Sequence, residues 1–421
     1  MTGASCLWTN YTQTMTSAAG HRTRNLNSAK TAKNDEFYTQ WADIEREMNA
    51  YLDYDPDVFR DKTILLPCDD PEWSNFAKFF ALHFHDYGIK KLIATSFAPD
   101  SNAGLPKHQP TLFETEDPQF DSVKTHTNGK KFVLDRDING DGIINIDDLQ
   151  WEYLKGDGDF RSPEVTALRD EADIIVTNPP FSLFREFVAW LVLAGKKFSV
   201  IGNGNAVTYK EIFPLIQTNQ IWKGATANAT DMVFGVPKGV EVKESDRLKA
   251  ERLGYPSDDT YDYTRLGNSN WFTNIEHGRR HEPLELMSMA DNIKFSRHSE
   301  VRGREYRKYD NFDAIEVPYT SAIPSDYDGV MGVPKSFLDR FNPDQFEIVG
   351  TSQGWYGAAT KIYPRQTQVS AAGVRSTVTK LNDQPALKVE TPPEGKTYYV
   401  VDDEYYVAVY ARILVRHKAG A

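Results

Sequence analysis

Short apolar segments alternate with amphipathic segments through the first half of the chain. Four apolar segments have the length of buried strands: 62–66 (KTILL), 91–97 (KLIATSF), 172–177 (ADIIVT) and 198–202. Helical spacing predicts helices over 43–52, over 184–194, and after a capping Ser74, with Phe76, Phe79, Phe80 and Phe84 on one face. This alternation predicts an α/β fold with a doubly wound, mostly parallel sheet.

The pattern changes after residue 210. Strands predicted over 231–236 and 270–275 suggest an antiparallel closing edge for the sheet. Beyond 285 the chain is β-rich with many turns, and strands are predicted over 346–350, 398–401 and 406–415. We therefore predict a disordered leader over 1–33, which contains no acidic residue, a catalytic domain over 34–285 with an acidic insertion at about 100–158, and a recognition module over 286–421.

Composition narrows the class of protein. The chain has 421 residues, of which 40% are hydrophobic and 26% charged, so a folded globular protein is expected. It has no apolar run of the roughly 20 residues that a membrane helix needs and no signal peptide, which predicts a cytoplasmic location and no membrane contact. Its two cysteines, Cys6 and Cys68, suggest neither a disulfide framework nor a cysteine metal site.

The net charge of -12 argues against a polyanionic partner until its distribution is considered. Residues 135–159 include eight acidic and two basic residues, which gives this segment a net charge of -6. Between 294 and 308 six bases face two acids, which gives +4, with His298 and Tyr306 interleaved. This basic strip (294–308) suits contact with phosphates, and a solvated basic loop is the alternative.

The most informative residues form an Asn-Pro-Pro-Phe segment (the NPPF segment), directly after a predicted strand and before a predicted helix: Asn178, Pro179, Pro180 and Phe181. A rigid turn from strand to helix would explain the two prolines without a function. The functional interpretation is an amine site. An asparagine side-chain carbonyl and a proline main-chain carbonyl both accept hydrogen bonds from one exocyclic amine, and this directs the nitrogen lone pair towards an electrophilic methyl group. If the amine belongs to an adenine in a nucleic acid, Phe181 would stack on the face of that base. Because the amine of a paired adenine is buried in the duplex, the base must be flipped out.

At this point the chain resembles the N6-adenine DNA methyltransferases, and within them the EcoRI-type adenine methylases, over about residues 27–415. The resemblance rests on the NPPF segment and on NDEFYT (34–39), PCDDPEWSNF (67–76), GDGDFRS (156–162), GVP (332–334) and Asn342-Pro343. It implies that S-adenosylmethionine is the methyl donor and double-stranded DNA the substrate.

The resemblance also implies roles for individual residues. Cofactor contacts are expected from Phe37, Tyr38, Thr39, Pro67, Cys68, Asp69, Asp70, Asp159 and Phe160. The flipped nucleobase would be held by Trp271 or Phe272. Basic residues are further expected to contact the DNA, such as Arg279, Arg280, Arg302 and Arg304. The chain departs from the general methyltransferase pattern in two ways. Its first loop lacks the F-x-G-x-G glycines, and its second strand ends in Thr95-Ser96 instead of an acid, so Asp69, Asp70 or Ser96 would bind the ribose hydroxyls.

A second motif matches a calcium loop of the EF-hand type over 137–148. The expected oxygen ligands are Asp137, Asn139, Asp141 and Asp148, with Gly142 at the turn. An Asx-rich turn that braces the insertion is the alternative. In either case the loop is structural, because methyl transfer needs no metal.

We therefore predict a site-specific DNA adenine N6-methyltransferase, in restriction-modification or in phage or host DNA modification, with a cognate restriction endonuclease as a possible partner. Two alternatives remain open at this stage. One is an NPP-type methylase of RNA or protein amine groups, and the other is a catalytically inactive DNA-binding scaffold.

Overall fold

The computed structural model describes residues 38–69, 74–98, 115, 117–226, 232–238, 242–259 and 261–418. The predicted leader, Phe37, Asp70 and most of 100–116 in the acidic insertion lie outside these residues. No helix among the described residues is long and apolar enough to cross a membrane.

The helices are α1 (Trp41–Tyr54), α2 (Asn75–Leu82), α3 (Lys124–Thr127), α4 (Pro163–Glu171), α5 (Phe184–Leu193), α6 (Phe213–Gln217), α7 (Glu244–Arg252) and α8 (Met289–Phe295). The first ten strands are β1 (Tyr38–Thr39), β2 (Thr63–Pro67), β3 (Lys91–Thr95), β4 (Lys130–Leu134), β5 (Gln150–Tyr153), β6 (Ile174–Thr177), β7 (Lys197–Asn203), β8 (Trp222–Lys223), β9 (Val233–Pro237) and β10 (Tyr261–Arg265). The others are β11 (Ser269–Thr273), β12 (Ile315–Glu316), β13 (Met331–Pro334), β14 (Phe346–Thr351), β15 (Gln366–Val369), β16 (Arg375–Val378), β17 (Ala386–Val389), β18 (Tyr398–Val401), β19 (Glu404–Ala408) and β20 (Arg412–His417).

The chain forms two compact units. The first comprises Met1–Met48, Asp57–Gly202 and Asp231–Ser269, and the second comprises Asn49–Pro56, Asn203–Thr230 and Asn270–Ala421. Both units are therefore built from separate stretches of chain. The division of functions at residue 285 stays a prediction.

The first unit has a mixed α/β architecture. Six of its strands follow the order β5-β4-β3-β2-β6-β7 within one sheet. The pairs β2–β3, β2–β6 and β6–β7 are parallel, whereas β3–β4 and β4–β5 are antiparallel. The carboxyl ends of β2, β3, β6 and β7 consequently share one edge of the sheet.

Amphipathic helices cover this sheet as the sequence predicts. The side chain of Ser74 caps α2 by accepting the Phe76 N–H at 3.1 Å. The four phenylalanines of the predicted apolar face are between 0% and 4% exposed. In α5, Phe187 and Leu191 are fully buried. Burial of these apolar faces is the main contribution to the stability of the unit.

The predicted closing edge is wrong for the strand near residue 233. β9 lies in a separate three-stranded sheet of order β1-β9-β10, and both of its neighbours are antiparallel. Because β1 and β10 occupy both of its edges, β9 has no free edge for the larger sheet. The other predicted strand, β11, pairs antiparallel with β8.

Two further sheets lie in the second unit. One has the order β12-β13-β20-β14 and the other β16-β15-β18-β19-β17. The sequence predicted one strand over 406–415, whereas the structure has β19 and β20 in different sheets. The chain passes between the two sheets at residues 409–411.

Candidate active site

The NPPF segment lies between a buried strand and a helix, as predicted. β6 is buried at all four of its positions, and a 3-10 turn over Phe181–Leu183 leads into α5. Since β6 has parallel neighbours on both sides, the segment lies at the carboxyl edge of the sheet, where α/β folds bind ligands.

A close contact between β7 and α5 fixes the far side of this turn. A Cβ atom on Gly202 would lie 2.3 Å from the ring of Phe184, which is 2% exposed. Any larger residue at position 202 would therefore have to displace the Phe184 ring. The start of α5, and with it the end of the NPPF segment, is held by this packing.

A buried carboxyl group joins the end of β6, directly before the NPPF segment, to the loop after β2. The Thr177 hydroxyl lies 2.5 Å from Oδ2 of Asp69 and 2.6 Å from the main-chain oxygen of Pro67. The Ser74 hydroxyl donates to Oδ1 of Asp69 at 2.7 Å. Asp69 is 6% exposed. The structure therefore places this predicted cofactor residue among hydroxyl groups of the protein.

The loop after β2 turns without glycine. Cys68 has a φ of 69°, in the left-handed region that favours glycine. Its N–H donates to the Thr95 hydroxyl at 3.4 Å, and the Asp69 N–H donates to the Thr95 carbonyl at 2.7 Å. Contacts with β3 therefore fix the conformation that glycines provide in the general methyltransferase pattern.

Two residues of the predicted cofactor segment before α1 lie in β1. The ring of Tyr38 packs 5.6 Å from that of Tyr261. The carbonyl of Thr39 accepts a hydrogen bond of 2.8 Å from the side chain of Asn75 at the start of α2. The hydroxyl of Thr39 is buried and has no hydrogen-bond partner in the described part of the chain. A buried hydroxyl of this kind is available to a ligand.

Ser96, the predicted substitute for the missing acid, is used in chain contacts. Its hydroxyl accepts the N–H of Lys130 at 3.1 Å, and its own N–H donates to the Lys130 carbonyl at 2.9 Å. Gly158 packs directly against it, because a Cβ atom there would lie 2.2 Å from the Ser96 carbonyl oxygen. These contacts bring the 156–162 motif to the end of β3.

Asp159 and Phe160 are also engaged within the protein. Arg161 donates to both carboxylate oxygens of Asp159, at 2.9 and 2.6 Å, and to Glu186 at 2.9 Å. Burial raises the pKa of Asp159, but the hydrogen bonds and charge of Arg161 outweigh it and hold the pKa below its ordinary value. Phe160 is 2% exposed and packs on Phe187 at 4.9 Å. The cofactor role of both residues stays a prediction.

The two aromatic residues predicted to hold the flipped base are buried in β11. Trp271 is 1% exposed and Phe272 is fully buried. Neither ring offers an open face to a base in this structure. A stacking role would require β11 or its surroundings to move.

The two neighbouring arginines predicted to contact DNA differ in exposure. Arg280 is 4% exposed, stacks 3.8 Å from the centre of the Trp222 ring, and donates to Glu276 and Asn219 at 3.1 and 2.6 Å. Burial lowers its pKa, although Glu276 opposes the shift. Arg279 is half-buried and donates to the Ala225 carbonyl at 2.8 Å. Arg280 is therefore part of the packing of the second unit, a role that its sequence neighbours did not indicate.

The basic strip is exposed. All six of its basic residues are exposed: Lys294, Arg297, Arg302, Arg304, Arg307 and Lys308. Phe295 lies among them with 60% of its surface exposed. Arg302 and Arg304 are therefore accessible to a nucleic acid.

The calcium-like loop is closed by its own hydrogen bonds. Asp148 accepts the N–H groups of Ile138, Asn139 and Asn145 at 2.8 to 3.1 Å. Asp137 accepts those of Gly140 and Gly142, while Asn139 and Asp141 each accept the N–H two residues ahead. No group of three or more His, Cys, Asp or Glu side chains among the described residues is placed to hold a metal. The structure supports the Asx-rich turn, and calcium has no support.

Comparison with known proteins identifies the family. The profile of the family described as "Adenine-specific methyltransferase EcoRI" matches residues 25–418. The type II methyltransferase M.EcoRI of Escherichia coli is 39% identical over 332 residues, which cover 78% of this chain and 89% of that protein. The type II methyltransferase M.MpnI of Mycoplasma pneumoniae is 35% identical over 326 residues, 77% of this chain and 84% of that protein.

A third relative, the type II methyltransferase M.MgeORF184P of Mycoplasma genitalium, is 34% identical over 324 residues, 77% of this chain and 85% of its own length. No solved structure gave a significant match. The matched range covers nearly the whole chain, and residues 178–181 lie within it. The chain belongs to the EcoRI family of adenine-specific DNA methyltransferases.

Proposed function

We propose that the NPPF segment catalyses methyl transfer to N6 of an adenine flipped out of double-stranded DNA. The observation that carries this proposal is the position of the segment at the carboxyl edge of a parallel set of strands, in a chain whose family is adenine-specific. We also propose that the order β3-β2-β6-β7 is the centre of a Rossmann-like methyltransferase sheet.

In this proposal Asn178 and Pro179 bind the amine of the target base. The side-chain carbonyl of Asn178 and the main-chain carbonyl of Pro179 each accept one N–H, which makes the nitrogen more tetrahedral and turns its lone pair outward. Phe181 stacks on the face of the base. No strong base is required, because the proton leaves after the nitrogen has become cationic. Positioning and electrostatics supply the rate enhancement.

When bound, S-adenosylmethionine supplies an electrophilic methyl group on its sulfonium sulfur. The buried hydroxyl of Thr39, which lacks a partner in the described part of the chain, suits a polar ligand. We propose that Tyr38, Thr39, Pro67 and Cys68 hold the cofactor, together with Phe37 and Asp70 outside the described residues. Ser96, Asp159 and Phe160 would also contact the cofactor.

We propose that the region 286–421 recognises the DNA site. The exposed Arg302 and Arg304 would contact phosphates, and Arg279 would do so from its half-buried position. Replacing both exposed arginines by glutamine is expected to weaken DNA binding on all sequences and to reduce the slope of log K against log salt by about 2. An unchanged slope would exclude phosphate contact by this pair.

The relatives are named type II methyltransferases, which supports a place in restriction-modification. We therefore propose a cognate endonuclease that cleaves the same DNA site when it is unmethylated. Action on the bacterial or phage genome would place the enzyme in the cytoplasm. A lysate of the source cells should cut unmodified DNA and spare DNA treated with this protein.

The central test is a labelled transfer assay. Purified protein is incubated with tritiated S-adenosylmethionine and mixed-sequence duplex DNA, and nucleosides are analysed for N6-methyladenine. We expect label in adenine for the wild type, loss by at least about 100-fold for Asn178→Ala, and partial activity for Asn178→Asp, which keeps an acceptor oxygen. Label in RNA or protein instead of DNA would overturn the proposal, as would an Asn178→Ala variant as active as the wild type.

A further inference from the structure

A buried series of hydrogen bonds connects the loop after β2 (the cofactor loop) with the residue directly before the NPPF segment. It runs from the Ser74 hydroxyl to Oδ1 of Asp69 at 2.7 Å, and from Oδ2 of Asp69 to the Thr177 hydroxyl at 2.5 Å. The Thr177 hydroxyl also lies 2.6 Å from the Pro67 carbonyl oxygen. Asp69 and Thr177 are 108 residues apart in sequence, and Thr177 directly precedes Asn178. These hydrogen bonds thus connect the end of β2 with the end of β6.

The number of available protons restricts which groups can donate in these hydrogen bonds. The Thr177 hydroxyl has one proton, and the Pro67 carbonyl is only an acceptor. If Thr177 donates to Pro67, its contact with Asp69 is a hydrogen bond only when Oδ2 of Asp69 carries a proton. If Thr177 donates to Asp69, two acceptor oxygens face each other at 2.6 Å. A carboxyl group that is 6% exposed is also easier to bury as the neutral acid than as the anion.

We propose that Asp69 is a positioning residue which acts as a neutral carboxylic acid. It accepts from Ser74 through Oδ1 and donates to Thr177 through Oδ2, so that Thr177 donates to Pro67. This arrangement fixes the peptide between Thr177 and Asn178 relative to the cofactor loop. The inference rests on the proposed role of Asn178 and replaces a direct cofactor contact by Asp69 with an indirect one.

Asparagine is the diagnostic substitution at this position. Asp69→Asn keeps an acceptor oxygen for Ser74 and supplies an N–H donor for Thr177, as a neutral acid does, whereas Asp69→Ala removes both. We expect kcat to fall about 10- to 100-fold in Asp69→Ala, because small misplacement of reacting groups has costs of this size. Asp69→Asn should recover at least ten-fold of that loss, and KM for S-adenosylmethionine should change less than three-fold in both variants.

A second pair of variants covers the case in which Asp69→Ala fails to fold. Thr177→Val removes the hydroxyl at nearly constant shape, while Thr177→Ser keeps it. The expected result is a fall in kcat of about 10-fold or more for valine and recovery by serine, with little change in KM. As a control for helix capping, Ser162→Ala removes the N-cap of α4, which accepts the Val165 N–H at 3.2 Å. It should cost about 1 kcal/mol of stability, the cost also expected for Ser74→Ala, but leave kcat unchanged.

The outcomes separate this inference from the proposed function. A wild-type protein that places no label in adenine overturns both. An active wild type whose Asp69→Asn variant is as impaired as Asp69→Ala overturns the neutral acid. Equal kcat for Thr177→Val and Thr177→Ser, or a rise in the KM for S-adenosylmethionine with kcat unchanged, overturns the positioning role and indicates a direct cofactor contact. The predicted ranking, with asparagine above alanine and serine above valine, supports the inference.

Discussion

Replacing Gly158 by alanine should destabilise the first unit strongly, whereas the same change at Gly156 should not. Gly158 has a φ of 86°, and a Cβ atom would lie 2.2 Å from the Ser96 carbonyl oxygen and 3.2 Å from its carbon. Both are main-chain atoms, which have little freedom to move away. A left-handed alanine costs about 1–2 kcal/mol, and overpacking costs a further 1–3 kcal/mol or so. We therefore expect a loss of about 2–5 kcal/mol, which is a large part of the roughly 5–15 kcal/mol that stabilises a typical protein.

Gly156 is the matched control. It lies two residues earlier, has no left-handed φ, and a Cβ atom there would meet no heavy atom within 4 Å. Urea denaturation followed by fluorescence gives the free energy of unfolding of both variants. A Gly158→Ala variant within about 0.5 kcal/mol of Gly156→Ala, the size of an ordinary surface substitution, would refute the reasoning. It would show that the 156–162 motif does not pack against the end of β3 as described.

Three further predictions concern the same two units. Arg161→Gln should reduce the free energy of unfolding at neutral pH, because it removes the partner of Asp159. Since the pKa of the Asp159 carboxyl group is lowered in the folded state, this loss of stability should shrink as the pH falls below about 4. A difference in unfolding midpoint that does not depend on pH would contradict this prediction. Gly202→Ala should push the Phe184 ring away from β7 and cost about 1–3 kcal/mol, with a loss of methyl transfer; unchanged stability and activity would exclude the contact. Arg280→Gln should lower the melting temperature, because it removes the guanidinium group that stacks on Trp222, while leaving the slope of log K against log salt for DNA binding unchanged; an unchanged melting temperature with a reduced slope would make Arg280 a DNA contact.

Local signals in the sequence were sufficient for the elements that depend on neighbouring residues. A serine before an apolar helical pattern predicted the cap of α2, and the structure has Ser74 there. Two prolines after an apolar strand predicted where β6 ends and α5 begins. In each case the hydrogen bonds or the φ restriction involve residues only a few positions apart.

Pairing between distant segments could not be predicted in the same way. β9 pairs with β1 and β10. Nothing in the apolar pattern of β9 itself indicates whether it belongs to this sheet or to the larger one. β4 and β5 were not predicted, although β4 alternates buried and half-buried residues. Its short length and the acidic turn that follows obscured a strand that is stabilised by its pairing with β3 and β5.

The residues of the site show the same limit. Arg280 looks like a DNA contact by charge, but Trp222 and Asn219 enclose it, and these lie about 60 residues away in sequence. Asp69 was predicted as a cofactor residue from its place in a motif, and that motif gave no indication of the hydroxyl groups of Ser74 and Thr177 that bind its carboxyl group. Residue type indicates which chemistry is available, while the tertiary contacts decide whether it is directed at a ligand or at the protein.

The glycine-poor first loop and its acidic residues have one physical explanation. Without glycine the loop still needs a left-handed residue, and Cys68 adopts that conformation at a cost of about 1–3 kcal/mol. Such a conformation persists only where surrounding contacts determine it. Here Thr95 binds the main chain on both sides of the turn, while Ser74 and Thr177 hold the carboxyl group of Asp69. The loop conformation therefore depends on side-chain contacts, and one of them, between Asp69 and Thr177, also reaches the residue directly before the NPPF segment.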